Sequence, residues 1–275
     1  MNSLQRIRFD TETRPLHHAA GSREVEVMAA AALPPHTLMR RAGLGVARLA
    51  LALAPHAQRI WIAAGPGNNG GDGFEAALHL HRAGKQVRIS VIGDPSRRPP
   101  DAVASLARAQ AAGVAIDSTL PQDTTCDITI DALFGLGSTR APEGVLADAL
   151  RQFNGHSGLR LTVDLPSGLD ADRGVRLGDV AARATHTLAL LTLKPGLFTA
   201  QGRDATGDVW FDDLGCGEAA RQVAPRAWLG GADAAGALRT PRLQAQHKGC
   251  FGDVIVVGGA PSLSGAVDRR ARVAR

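Results

Sequence analysis

The fold is decided by residues 59–93, RIWIAAGPGNNGGDGFEAALHLHRAGKQVRISVIG. An apolar, β-branched run at 59–64 leads into the glycine-rich segment 65–73, then into a helical pattern at 74–83 and a second apolar run at 87–92. Two apolar runs joined through a helix are typical of a buried parallel sheet, because parallel neighbours need a long crossover connection. The stretch therefore predicts a β-α-β unit with a glycine-rich turn after its first strand.

The same alternation continues along the chain. Further strands are predicted at residues 127–133, 159–165, 186–192 and, more weakly and at an edge of the sheet, 207–212. Helices are predicted at residues 100–112, 143–153 and 29–53, with Pro34-Pro35 marking the start of the last one or a break before it. These elements predict an α/β fold with a mainly parallel sheet covered on both faces.

The composition argues against several classes of protein. No apolar run reaches the ~18–20 residues that cross a bilayer, and residues 1–18 lack the apolar core of a secretion signal, so we expect a cytoplasmic protein without membrane contact. The net charge is +5, but the basic residues are scattered and only 4% of residues are aromatic, so nucleic acid is not an expected partner. Three widely spaced cysteines indicate neither a disulfide framework nor a zinc site.

The glycine-rich segment 65–73 is the strongest functional feature. Glycines let the backbone turn sharply, and the helix N-terminus behind them suits an anion such as phosphate. The segment matches G-x-G-x-x-G and Asp94 follows the second strand, which keeps an NAD-dependent oxidoreductase as an alternative. Against it, Asn68, Asn69 and Asp72 place amide and carboxylate groups where that fingerprint has small apolar residues.

Two further strand ends carry polar side chains. Asp131 begins DALFGLG at 131–137, and Asp164 lies in VDLPSGLD at 163–170, with Ser167 three residues on. The carboxyl ends of parallel strands meet at one crevice, so these groups are expected beside the glycine-rich segment. A serine nucleophile is disfavoured because Ser167 is not in G-x-S-x-G, and histidine metal catalysis because His79 and His81 are only two apart on a helix.

Together these segments resemble the NAD(P)H-hydrate epimerases, the YjeF N-terminal domain family. The resemblance rests on GNNGGDG at 67–73, DALFG at 131–135 and VDLPSG at 163–168, in the family's order. It extends from LMRRAG at 38–43 through KPG at 194–196 to about Asp213. Leu136 and Ser138 differ from the Thr and Leu that the family commonly has there.

The resemblance implies a Rossmann-like three-layer sandwich and an isomerase that converts the R form of hydrated NADH or NADPH to the S form. The substrate would be held by Asn68, Asn69, Gly70, Gly71, Asp72, Gly135, Leu136, Gly137, Ser138, Thr139, Arg140, Ala141 and Asp164. Asp164 would be the catalytic residue, and NAD(P)H hydrate is the substrate, so no redox cofactor is expected. The family also implies a homo-oligomer, while a non-catalytic nucleotide-binding module stays an alternative.

The resemblance further implies a potassium ion held by Asn69, Asp131 and Ser167. Amide, carboxylate and hydroxyl oxygens are hard ligands that suit a hard cation.

The substrate carbon bears a hydroxyl and the ring nitrogen. It can therefore change hand by losing water to an iminium ion or by ring opening, and either path needs proton shuttling, which we assign to Asp164.

Composition predicts the domain organisation. Residues 1–215 are expected to form the epimerase domain, and 216–246 a linker rich in Ala, Gly, Arg and Pro with a short helix near 233–238. In 247–275, HKGCFGDV and GGAPSLSGA resemble the start of the ADP- or ATP-dependent NAD(P)H-hydrate dehydratase domain, a ribokinase-like fold. The apolar helix expected next is missing, so this fragment is expected to be a truncated remnant without lyase activity.

Overall fold

The computed structural model describes residues 4–8, 12–123 and 125–233. The strand and dehydratase-like fragment predicted within 247–275 lie outside these residues, as does the helix predicted near 233–238 except for Asp233.

Seven helices and ten strands make up the described part of the chain. The strands are β1 (Gln5–Arg6), β2 (Arg14–Leu16), β3 (Arg59–Ala64), β4 (Gln86–Val91), β5 (Ala115–Asp117), β6 (Ile128–Ala132), β7 (Leu159–Val163), β8 (His186–Leu190), β9 (Asp208–Asp212) and β10 (Ala227–Leu229). The helices are α1 (Ala19–Ala31), α2 (Thr37–Leu53), α3 (Asn68–Arg82), α4 (Pro100–Ala111), α5 (Val145–Gly155), α6 (Gly202–Ala205) and α7 (Gly217–Gln222).

Eight strands form one sheet in the order β1-β9-β8-β7-β6-β3-β4-β5. Every neighbouring pair is parallel except β1 with β9, which confirms the mainly parallel sheet. The expectation that residues 207–212 form an edge strand is wrong, because Gln5 pairs with Phe211 and Arg6 with Trp210, so that β1 covers that edge. A two-residue strand is too short to show the alternation by which strands are recognised in a sequence.

The two faces of the sheet pack against different layers. On β3, Ile60 and Ile62 belong to the cluster that includes residues of α2 and α3, whereas Trp61 and Ala63 belong to the cluster that includes Leu150 of α5. Successive side chains of a strand point to opposite faces, so this division places helices on both sides of the sheet. The three-layer α/β sandwich is therefore confirmed.

The helix predicted at 29–53 is two helices. α1 ends at Ala31 and α2 begins at Thr37, and the proline pair lies between them. Proline cannot donate a backbone hydrogen bond, and His36 adopts a left-handed φ of 64° just before α2. The break therefore lies within the predicted helix, and α1 extends ten residues further toward the N-terminus than the pattern indicated, from Ala29 back to Ala19.

Part of the predicted linker is folded. Within 216–246, α7 packs against α1, and β10 pairs with β2, aligning Trp228 with Pro15. Both elements are short and gain their stability from contacts with the N-terminal region, which is distant in sequence, so local composition gave no indication of them. Both elements belong to the same compact unit as the strands of the large sheet.

The sheet reverses its strand order between β3 and β6. From β3 the chain moves outward through β4 and β5 and then returns to β6 on the opposite side of β3. Ligands of open parallel sheets bind beyond the carboxyl ends of the strands at such a point. Among the described residues no helix is long and apolar enough to cross a membrane.

Candidate functional site

The glycine-rich segment is mostly helix rather than loop. α3 begins at Asn68 instead of near Phe74, so Gly70, Gly71 and Asp72 lie in its first turns. A Cβ on Gly70 would lie 2.0 Å from the carbonyl oxygen of Gly65, which shows how closely the helix sits on the end of β3. Gly70 is required there for packing, because any side chain would force the helix away from the strand.

A cavity of about 840 Å³ lies at the carboxyl ends of the strands. Its walls include eleven of the thirteen predicted substrate-binding residues, namely Asn68, Asn69, Asp72, Gly135, Leu136, Gly137, Ser138, Thr139, Arg140, Ala141 and Asp164. The other two, Gly70 and Gly71, do not line it. A Cβ on Gly71 would lie 2.5 Å from Met39 of α2, so this glycine also serves helix packing.

Asp164 is the first residue after β7 and is largely buried, with 8% of its surface exposed. Its φ of 68° is left-handed, a conformation that Asp tolerates better than most residues, and it turns the chain toward Leu165. The carboxylate oxygen Oδ1 accepts hydrogen bonds from the Lys194 ammonium and from the Leu190 backbone N–H, the latter at 3.2 Å. One face of the carboxylate is thus fixed by the protein.

Lys194 is the partner that the sequence did not assign. Its side chain is 1% exposed, and Nζ donates to Asp164 and, over 2.8 Å, to the carbonyl of Leu190. A buried ammonium is costly unless it is paired, so this ion pair holds both side chains in one geometry. Lys194 also lines the cavity, and a charged group therefore stands directly beside the proposed catalytic carboxylate.

The second oxygen of Asp164 lies near the loop after β6. A Cβ built on Gly135 would be 3.5 Å from Asp164 Oδ2 and 3.6 Å from Asn69 Oδ1. Gly135 thus lies close to two polar side chains that come from different strand ends. The amide nitrogen of Asn69 is buried, with the residue only 7% exposed, and it has no hydrogen-bond partner within the part of the chain that the structure describes. Such an atom indicates a position prepared for a ligand.

Asp131 and Ser167 are hydrogen-bonded to each other outside the lining of the cavity. The Ser167 hydroxyl donates to Asp131 Oδ1 over 2.7 Å, its backbone N–H donates to Oδ2 over 2.9 Å, and Leu133 N–H donates to Oδ1 over 3.1 Å. The Phe134 N–H donates to the Ser167 hydroxyl over 2.9 Å. Neither side chain lines the cavity. Burial raises the pKa of Asp131 to about 6, against the opposing effect of these hydrogen bonds.

Two of the other carboxyl groups that line the cavity, Asp72 and Glu26, have raised pKa values. Burial, together with the negative charges of Asp164, Glu26 and Glu75, raises the pKa of Asp72 well above its ordinary value. Burial and the charge of Asp164 also raise the pKa of Glu26, which is half-buried on α1. Perturbed carboxyl groups gathered in one cavity are a common mark of acid–base chemistry.

The sequence pattern missed Glu26 because it placed residues 19–28 outside any helix. It missed the role of Lys194 although KPG at 194–196 was part of the family resemblance, because the ion pair joins residues 30 apart in sequence.

Asp94 does not take the position that the oxidoreductase alternative requires. Its side chain accepts the backbone N–H of Ser96 over 2.9 Å and caps a short turn at Pro95–Arg97. Asp94 does not line the cavity. The carboxylate that would hold a cofactor ribose in a dinucleotide-binding fold is therefore used locally.

No cluster of three or more His, Cys, Asp or Glu side chains suited to a metal ion is found among residues 4–8, 12–123 and 125–233.

A family model described as YjeF-related protein N-terminus matches residues 35–196. A bifunctional NAD(P)H-hydrate repair enzyme of Leishmania braziliensis is 34% identical over 269 residues, which cover 92% of this chain and 47% of that protein. The bifunctional NAD(P)H-hydrate repair enzyme Nnr of Escherichia coli is 32% identical, covering 84% of this chain and 45% of that protein. The chain thus spans about half the length of these curated relatives.

A shorter relative matches over most of its length. The NAD(P)H-hydrate epimerase of Limosilactobacillus fermentum is 38% identical over 186 residues, which cover 66% of this chain and 88% of that protein. The crystal structure of the yeast protein ynu0 is similar with a TM-score of 0.58 and 20% identity, covering 66% of this chain and 82% of that one. At this identity the structural likeness supports the fold alone.

Proposed function

Because the chain belongs to the family of the YjeF-related protein N-terminus, we propose that it is an NAD(P)H-hydrate epimerase, an isomerase of nicotinamide nucleotide repair. The main support for this proposal is the cavity, which is lined by Asp164, the N-terminal turns of α3 and the loop 135–141. Lys194 fixes the position of Asp164 there. A cavity of about 840 Å³ is in the range of sites that bind small molecules and cofactors.

The parts of the substrate have natural partners in this cavity. The first turn of α3 has free backbone N–H groups and no side-chain cap, and it can receive a phosphate of the dinucleotide. The loop 135–141 supplies the opposite wall, including Arg140. The hydrated ring would then lie beside Asp164. This ring is the part of the substrate that reacts and therefore needs an acid–base group.

Asp164 can move a proton through its second carboxylate oxygen, Oδ2. Oδ1 is held by Lys194 and Leu190, whereas Oδ2 lies near Gly135. In the ring-opening path, Oδ2 accepts the proton of the substrate hydroxyl as the carbon–nitrogen bond breaks, and returns it when the ring closes on the other face. In the iminium path, a protonated acid of the site gives its proton to the hydroxyl, which leaves as water, and a carboxylate accepts a proton when water adds to the other face. The redox state of the nucleotide is unchanged, so no redox cofactor is required.

We further propose that potassium binds between Asn69 and the Asp131–Ser167 pair. The residue types fit, since amide, carboxylate and hydroxyl oxygens are hard donors. The unpartnered amide of Asn69 supports the fit, because a rotation of the amide group would present its oxygen instead. The Asp131 carboxylate accepts three hydrogen bonds of the roughly four that a carboxylate can accept. One of its lone-pair sites is therefore left for a cation. When bound, the ion would supply positive charge beside the substrate.

Other parts of the proposal rest on the relatives or on the sequence. We propose that the epimerase domain spans residues 1–215, that α7 and β10 within 216–246 complete its folded unit, and that 247–275 corresponds to the start of a dehydratase domain. Assembly as a homo-oligomer and a cytoplasmic location are proposed on the same basis.

The test is a chiral separation of R-enriched NADH hydrate incubated with the purified chain, potassium and no dehydratase. We expect the S form to appear faster than in the uncatalysed exchange, with no change in redox state. A rate equal to the uncatalysed one, with the substrate still bound, would favour a non-catalytic module. Oxidation or reduction of the nicotinamide with an added substrate would instead favour the oxidoreductase alternative.

A further inference from the structure

α1 contributes one of the carboxyl groups that line the cavity containing Asp164. Glu26 lines this cavity, and its Oε1 accepts a hydrogen bond of 3.4 Å from the amide of Asn68, the first residue of α3. One turn earlier on α1, Arg23 donates to the carbonyl of Leu136 over 3.1 Å, which ties the helix to the loop after β6. Glu26 is thus held in place from its own helix and from α3.

The electrostatic surroundings of Glu26 and Asp164 differ in kind. Asp164 is hydrogen-bonded to a buried ammonium. Among the described residues, no cation donates a hydrogen bond to the carboxyl of Glu26. Lys194 and Arg23 act on it through their charge, while Asp164 and Asp72 repel it. Burial is the largest cause of its raised pKa. Two carboxyl groups in one site with different surroundings are the usual arrangement for an acid and a base.

We propose that Glu26 is the proton donor that works opposite Asp164 in the epimerisation. This inference rests on the proposed function and adds a catalytic residue to it. In the ring-opening path, Asp164 takes the hydroxyl proton, the carbon–nitrogen bond breaks, and Glu26 gives its proton to the departing ring nitrogen. Closure on the other face returns both protons. In the iminium path, Glu26 protonates the hydroxyl, which leaves as water, and a carboxylate takes the proton back when water adds again.

Asp72 is the competing candidate, since it lines the same cavity and its pKa is also raised. Burial and the negative charges of three neighbouring carboxyl groups, Asp164, Glu26 and Glu75, raise the pKa of Asp72 well above its ordinary value. A proton that is held too firmly is a poor donor near neutral pH, because general acids work best with a pKa close to the working pH. Glu26 also has the longer side chain and a fixed hydrogen-bond partner.

The test compares steady-state kcat and KM for R-to-S conversion across pH 5 to 10 in five proteins: the wild type, Glu26→Gln, Glu26→Asp, Asp72→Asn and Glu24→Gln. Glu24 is exposed on the same helix and does not line the cavity, so it is the matched control. We expect Glu26→Gln to lower kcat by about 10²–10⁴-fold with little change in KM, as removal of a general acid does. Glu26→Asp should restore part of kcat.

The pH profile separates this role from a structural one. A proton donor is active when protonated, so the wild-type kcat should fall as pH rises through the raised pKa of Glu26, and Glu26→Gln should lack this fall. In Asp72→Asn the fall should persist. A kcat of Glu26→Gln within threefold of wild type, or an unchanged high-pH fall in that variant, overturns the proposal. If the wild type itself does not accelerate epimerisation, the proposed function fails, and this role fails with it.

Discussion

Replacing Lys194 by Met should destabilise the protein strongly and tests whether the buried ion pair organises the site. The Lys194 side chain is 1% exposed and that of Asp164 is 12% exposed. Removing one partner of a buried pair leaves the other charge uncompensated, which costs about 3–5 kcal/mol. Asp164 touches the cavity and keeps the Leu190 N–H, so we expect the lower end, about 3 kcal/mol.

A loss of this size is readily measured. In a folded unit of 150–250 residues, each kcal/mol lowers Tm by about 2–4 °C, so Lys194→Met should lower Tm by about 6–12 °C. Urea unfolding followed by far-UV circular dichroism gives the free energy of unfolding for the wild type, Lys194→Met, Asp164→Asn and the double variant.

The double variant decides the interpretation. It leaves no unpaired charge, so its destabilisation should be smaller than the sum of the two single losses by about 1–3 kcal/mol. The reasoning is refuted if Lys194→Met loses less than 1 kcal/mol, or if the two losses add without coupling. Lys194→Met should also lower kcat more than it raises KM, because it releases the carboxylate that moves the proton.

Three further predictions concern the scaffold. The Asp127 carboxylate accepts hydrogen bonds from two backbone N–H groups at the start of β3, which lower its pKa from the ordinary 3.8. Asp127→Ala should therefore lower the free energy of unfolding by about 1 kcal/mol after allowance for exposure. Urea melts should show this difference above pH 4, and the difference should disappear as pH falls through the lowered pKa. Gly70→Ala would place a Cβ 2.0 Å from the Gly65 carbonyl oxygen and should lower the free energy of unfolding by about 2–3 kcal/mol. Gly155→Ala has open space around its Cβ and should lower it hardly at all. Equal losses in the two variants would contradict the close packing of α3 against the end of β3. Burial raises the pKa of the Cys126 thiol from 9.0 to about 11, so at pH 8 its thiolate is about 100-fold scarcer than in the unfolded chain. Alkylation of Cys126 by iodoacetamide, followed by peptide mass spectrometry, should therefore be about 100-fold slower in the folded protein. Similar rates in the folded and unfolded chains would refute the burial of this thiol.

The central strands could be predicted from sequence because burial on both faces gives continuous apolar runs. β3 has the predicted bounds, and β6, β7 and β8 each lie within their predicted ranges. The short strands β1 and β10 could not be predicted, since each is stabilised by one distant partner strand. Pattern reasoning therefore succeeded for elements in the core and failed for those at the margins.

The start of α3 shows how packing overrides intrinsic preference. Glycine and asparagine disfavour helices, and the segment 65–73 therefore indicated a loop. In the fold, Gly70 and Gly71 allow α3 to approach β3 and α2 more closely than any side chain permits. Glycine is required at these two positions because of tertiary contacts of α3. Local sequence patterns do not show such contacts.

The candidate site was predictable where it follows a strand end. Asp164 and the loop that follows β6 line one cavity, as expected from parallel strands that end at one edge of the sheet. The assignment of residues 135–141 to substrate binding came from the family resemblance and stays a prediction. Glu26 and Lys194 were not found, because α1 carries no glycine or strand signature and the Asp164–Lys194 contact is not local in sequence.

The most direct test of the proposed function is the R-to-S conversion of NADH hydrate by Asp164→Asn, measured by chiral separation beside the wild type and Asp148→Asn. Asp148 is an exposed acid on α5 outside the cavity, and its variant controls for the loss of one carboxylate. We predict that the wild type and Asp148→Asn convert the R form equally fast, while folded Asp164→Asn is slower by at least about 10²-fold. Full activity of Asp164→Asn would contradict the assignment of the chemistry to this cavity.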